Sequence, residues 1–156
     1  MDDCPVAGVT QTILYDPDLN ERGVYGNCLQ AAMASALGLD LAAVPHFGAF
    51  TWWDAAARLW LRGRSLDWSW QPVSRGLPEG RCVVVGVSPR RPGDRHAVVG
   101  DGGRIAWDPH PSRDGLTEIQ GAYVLRRWPD GSPESDACVC CAGQIGALAA
   151  GRGAMP

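Results

Sequence analysis

Three residues of this chain have the types and contexts that thiol-dependent acyl transfer needs: Cys28, His96 and Asp108. Cys28 follows Gly26-Asn27 and opens an apolar-periodic segment. Asn is a strong N-cap residue, so Asn27 is expected to cap a helix that starts at Cys28. A helix N-terminus gathers unpaired N–H groups and positive potential. That setting favours the thiolate, the reactive form of a cysteine. The same N–H groups can hold a developing oxyanion. By itself the thiol is weak grounds, because a helix-start cysteine is about equally well read as a small packing residue.

A base within reach of the thiol, itself oriented by an acid, strengthens the case. Of the three histidines, His46 lies in Pro45-His46-Phe47 and reads as structural. His110 lies in Asp108-Pro109-His110-Pro111, where the prolines fix a turn. His96 opens the apolar run Ala97-Val98-Val99. The segments 96–100 and 104–108 read as a hairpin joined through Asp101-Gly102-Gly103. With a three-residue loop, Gly100 faces Arg104 and His96 faces Asp108. His96, Val98, Gly100, Ala106 and Asp108 then share one side, and Ala97, Val99, Ile105 and Trp107 the other. A two-residue loop would put His96 and Asp108 on opposite faces. Gln11, in an expected strand before the cysteine helix, is the candidate second oxyanion donor beside the Cys28 N–H.

These side chains need elements to carry them. Residues 9–14 read as a short strand and 15–26 as a loop. Leu29, Ala32, Met33, Ala36 and Leu37 recur with helical spacing, predicting a helix over 28–37 stopped by Gly38. A second helix is predicted over 51–62, with Trp52 or Trp53, Ala56, Leu59 and Trp60 on one side. Strands are predicted over 66–73, 81–87 and 121–128, the middle one central because it is continuously apolar. Helices first and antiparallel strands after predict an α+β domain.

The chain has 156 residues, enough for one domain with its own core. Charged residues make up 20% and the formal net charge is −3, so no electrostatic footprint for nucleic acid is present. All basic side chains are Arg and none is Lys, which excludes Schiff-base chemistry and a P-loop. No apolar run approaches a spanning helix, and Met1-Asp2-Asp3-Cys4-Pro5 is not a leader. No membrane association and a cytoplasmic location are therefore expected. Cys82 opens the run Cys82-Val83-Val84-Val85 and reads as a buried apolar residue. Cys138, Cys140 and Cys141 with Cys4 have the donor type for zinc. Cys-x-Cys-Cys is not a usual structural spacing, so they read as incidental thiols, and no metal or cofactor is expected. Five tryptophans, Trp52, Trp53, Trp60, Trp68 and Trp70, read mainly as core, with a groove beside Cys28 as the lesser alternative. Arg113 is a candidate ligand for a substrate carboxylate.

The segments Gly26-Asn27-Cys28-Leu29-Gln30-Ala31-Ala32, His96-Ala97-Val98-Val99 and Trp107-Asp108-Pro109 resemble the papain-like cysteine peptidase superfamily. Among its members the chain is most similar to bacteriocin-processing double-glycine peptidases and to small phage and bacterial relatives. The resemblance covers about residues 9–128 in element order. It implies a nucleophile at Cys28, a base at His96, an orienting acid at Asp108 and an oxyanion-hole glutamine at Gln11. In the family that glutamine usually lies a few residues before the cysteine. Gln11 lies 17 before Cys28, which implies an inserted loop over residues 15–25. The expectation is a papain-like hydrolase domain over 1–130 with a Gly/Ala/Cys-rich tail over 131–156. Its substrate would be a peptide or other amide, proteins included. Two alternatives are a deamidase or transglutaminase-like modifier with the same triad, and a non-catalytic binding protein of phage or bacterial origin.

Overall fold

The computed structural model describes residues 5–129. The expected tail over 131–156, with Cys138, Cys140 and Cys141, lies outside the described residues, as does Cys4. Three helices, α1 (Pro17–Glu21), α2 (Cys28–Leu37) and α3 (Trp53–Arg62), precede five strands. The strands are β1 (Leu66–Pro72), β2 (Cys82–Val87), β3 (Arg95–Asp101), β4 (Arg104–Trp107) and β5 (Glu118–Arg127). They form one sheet in the order β1-β5-β2-β3-β4, with every neighbouring pair antiparallel. This is an α+β architecture, and β2 is central as its apolar run predicts.

The main core lies between the helices and one sheet face. Met33, Ala36 and Leu37 of α2 meet Trp68, Val83, Val99 and Leu125 there. On the opposite face Cys82, Val84, Val98 and Ala122 form a smaller cluster. Strand alternation separates the two sets. Helix α2 ends at Gly38, whose φ of 63° is the left-handed stop expected of that glycine. Helix α3 buries Ala57 and Leu61, with Trp53, Ala56 and Trp60 partly covered. Leu59 faces solvent, contrary to its predicted side, and of Trp52 and Trp53 it is Trp53 that packs against the core. The buried stripe runs along 53, 57, 60 and 61, and Leu59 falls outside it.

No helix among the described residues is long and apolar enough to cross a membrane. Two other expectations fail near the N-terminus. Residues 9–14 form no strand: the N–H groups of Val9, Thr12 and Ile13 donate to the side chains of Ser35 and Asn27, and that of Gln11 donates to the Pro109 carbonyl. Residues 15–26 contain α1, which Asp16 caps by accepting from Leu19 N–H at 3.0 Å, with Pro17 in the first turn.

Candidate active site

Cys28 is the first residue of α2, as predicted. The reason differs from the prediction. Asn27 makes no side-chain cap bond to the helix. It is 1% exposed, and its amide makes four other bonds. Its Oδ1 accepts from the backbone N–H of Thr12 (3.1 Å) and Ile13 (2.8 Å). Its Nδ2 donates to Thr12 Oγ1 and Gln30 Oε1, both at 3.1 Å. Gln30 in turn donates to the carbonyls of Leu41 and Val44. Asn27 thus ties the start of α2 to residues 12–13 on one side and, through Gln30, to residues 41–44 on the other. Among the described residues, no Asn27 side-chain cap takes the N–H groups at the helix start.

The hairpin β3–β4 brings the base and acid together by a route the sequence did not suggest. The turn is two residues, Gly102-Gly103, both at positive φ, with Asp101 paired to Arg104. Gly100 therefore faces Ile105, not Arg104. On that register His96 and Asp108 would lie on opposite faces. A bulge follows: Val99 pairs with Trp107, so one extra residue enters β4 between the two pairs. The extra residue restores the parity. Asp108 comes onto the face of His96, two residues off direct opposition, just beyond the end of β4.

His96 and Asp108 are both buried, and His96 Nε2 lies 2.6 Å from Asp108 Oδ1. Three groups donate to this carboxylate, and an arginine lies near it. His110 N–H donates to Oδ1 and Gly115 N–H to Oδ2, each at 2.8 Å. Arg90 Nη1 lies 3.9 Å from Oδ2. Burial alone would raise the Asp108 carboxyl, but His96 and the two backbone donors outweigh it and hold it at about 2. His96 is pushed the other way. Burial would lower it, but the Asp108 bond and the nearby Cys28 raise it to about 9. With Nε2 committed to Asp108, Nδ1 is the ring nitrogen left for that thiol.

Cys82, the other described cysteine, has a different setting. It is fully buried, and burial followed by the charge of Asp101 pushes its thiol up to about 12. That is the inert, structural form of a cysteine.

Gln11 reaches the site although it is not in a strand. It is 6% exposed and lines a cavity of about 450 Å³ together with Cys28 and His96. Its N–H donates to Pro109 O at 3.0 Å, fastening it to the turn after Asp108. Its Nε2 donates to Ile13 O at 3.0 Å. An amide nitrogen carries two hydrogens, so one bond leaves the second free for another acceptor. If that hydrogen serves an oxyanion, Gln11→Ala lowers kcat about 100-fold while Cys28 still alkylates at the wild-type rate. Steady-state turnover beside iodoacetamide labelling checks this, and equal losses in both would remove the role.

Other assignments change. Arg113 is not free for a substrate carboxylate: its guanidinium bonds the carbonyls of Asp108 and His110 and the hydroxyl of Thr10, and lies over Trp107. It clamps the Asp108 loop to the N-terminal segment. His46 holds the Tyr25 carbonyl at 3.0 Å, a structural role as read. His110 contributes its backbone N–H to Asp108, and its ring lies 6.2 Å from that of His96. Burial, then the charges of Arg90 and His96, keep the His110 imidazole below its usual range. The tryptophans divide between roles: Trp68 is core, whereas Trp53 and Trp70 line a second cavity beside Cys28. The sequence reading missed Gly115, Arg90 and Arg95. Only Arg95 had a local signal, its place directly before His96.

Compared with protein-family models, with curated proteins and with solved structures, the chain matches none.

Proposed function

We propose that the chain is a thiol-dependent hydrolase of the papain-like kind, cleaving an amide bond through an acyl-enzyme on Cys28. The supporting observation is the oriented imidazole beside the thiol: His96 holds buried Asp108 through Nε2, and His96 and Cys28 line the same two cavities. An acid that fixes a base, and a base that shares its cavities with a nucleophile at a helix start, is the arrangement that acyl transfer requires.

In this proposal the Cys28 thiolate attacks the amide carbon. The carbonyl oxygen becomes an oxyanion facing the N–H groups at the start of α2 and Gln11 Nε2. The C–N bond breaks as the His96 imidazolium gives its proton to the departing amine. His96, now neutral, takes a proton from water, whose oxygen attacks the thioester. The acid is released and the thiol regenerated. Asp108 remains a carboxylate throughout and orients the ring.

The test pairs labelling with turnover. A peptide vinyl sulfone should add once, on the tryptic fragment 23–58, whose single cysteine is Cys28. The wild-type chain should cleave amides from a peptide library, and Cys28→Ala should neither label on that fragment nor cleave. Ammonia released from glutamine without chain cleavage would redirect the proposal to deamidation. A Cys28 no more reactive than free cysteine toward iodoacetamide would overturn it.

A further inference from the structure

Two cavities meet at Cys28 and His96, and their walls differ in chemistry. The first, about 560 Å³, is walled by Leu29, Trp53, Trp70, Val85 and Tyr123. Its rings are braced: Tyr123 lies 5.5 Å from Trp53 and 5.0 Å from Trp70, centroid to centroid, both edge-on. Trp70 lies over Gly121, where a Cβ would fall 2.5 Å from the indole. These walls are apolar and aromatic beside the thiol.

The second cavity, about 450 Å³, contains the cations Arg90, Arg91 and Arg95. Two of them are occupied. Arg91 pairs with Asp94 at 2.6 Å and lies over Tyr15. Arg90 bonds Ser112 and lies within 4 Å of Asp108 and Asp114. Arg95 differs. It is exposed, lines both cavities, and has no ion pair or hydrogen bond to its guanidinium among the described residues. It also directly precedes His96.

We infer that the site takes an amide flanked by an aromatic or bulky apolar group and by a carboxylate, the first held in the Trp53–Trp70–Tyr123 cavity and the second by Arg95. This inference rests on the hydrolase proposal and names its substrate class. One free guanidinium matches one carboxylate, because its planar fork meets two oxygens side by side. A phosphate dianion would need more positive charge than Arg95 supplies, since the neighbouring arginines are already neutralised by Asp94, Asp108 and Asp114.

The test uses alkylators that carry each feature separately. Iodoacetate, iodoacetamide and N-benzyliodoacetamide are reacted with the full chain, and labelling is followed on the fragment 23–58. Arg95→Gln should lower the iodoacetate-to-iodoacetamide rate ratio about fivefold, and Arg95→Lys should recover part of it. Trp70→Ala should raise the half-saturating concentration of N-benzyliodoacetamide about fivefold, with the iodoacetamide rate unchanged. If Trp70→Ala unfolds, Leu29→Trp fills the same cavity and gives the same readout. Either ratio unmoved overturns the substrate class. A Cys28 unreactive toward iodoacetamide overturns the hydrolase proposal instead, so the two failures are distinct.

Discussion

Asp108→Asn should reduce kcat about 10³- to 10⁴-fold and move the alkaline limb of the pH profile to lower pH. The loss is large because the carboxylate is surrounded by donors. His96 and the His110 N–H meet Oδ1, and the Gly115 N–H meets Oδ2. An asparagine must turn its NH₂ toward one of these N–H groups, so at least one bond becomes donor against donor. The charge is lost as well. In the wild type His96 is raised to about 9, so on the proposed mechanism the proton for the departing amine is present through neutral pH and disappears as pH rises through about 9. Without the Asp108 charge the imidazole falls toward its ordinary value, and activity is lost earlier on the way up. Turnover between pH 6 and 10 for both chains measures this, and an alkaline limb unmoved in the variant would refute the orienting role.

The same pair sets a stability window. His96 is raised from 6.5 to about 9, so its contribution is complete below 6.5 and is lost as pH rises through about 9. Asp108 is lowered from 3.8 to about 2, so its contribution is complete above 3.8 and is lost as pH falls through about 2. Both are whole only between those limits, from 3.8 to 6.5.

Asn27→Ala should cost about 3 kcal/mol of folding free energy. The side chain makes four hydrogen bonds at 1% exposure, and its loss leaves the N–H groups of Thr12 and Ile13 without their acceptor. A simple N-cap would be worth about 1 kcal/mol, so the magnitude separates the two roles. Asn27→Asp keeps Oδ1 as acceptor, and Thr12 Oγ1 can rotate to donate to the new oxygen, whereas Gln30 Oε1 cannot. Its cost should therefore be smaller, about 1 kcal/mol. Urea unfolding gives both values, and a cost for Asn27→Ala near 1 kcal/mol would restore the cap. Activity should suffer too, because Gln11 hangs from the Ile13 carbonyl that Asn27 helps to place.

Local patterns in the sequence determined much of the scaffold. The spacing of Leu29, Met33, Ala36 and Leu37, with Gly38 behind them, determined α2 and its ends. The apolar run 82–85 determined a central strand. Cys28 at a helix start was likewise legible, since it depends on one helix boundary. These features arise from periods and stops within a few residues, which a sequence displays directly.

The assembly of the site was decided elsewhere. The shared face of His96 and Asp108 was inferred from a three-residue turn that does not form. The face is shared because Gly102-Gly103 makes the tighter turn and the bulge before Trp107 shifts the strand back by one residue. Each step alone reverses side-chain parity, and only their sum preserves it. No local period encodes that sum. Asn27 shows the same limit. Its type suits a cap, but a segment 15 residues earlier competes for its amide and takes it. Propensity ranks what a side chain can do near its own backbone. Which partner it takes depends on what the packed chain brings within 3 Å, and that is decided only when α2, the N-terminal segment and the Asp108 turn come together.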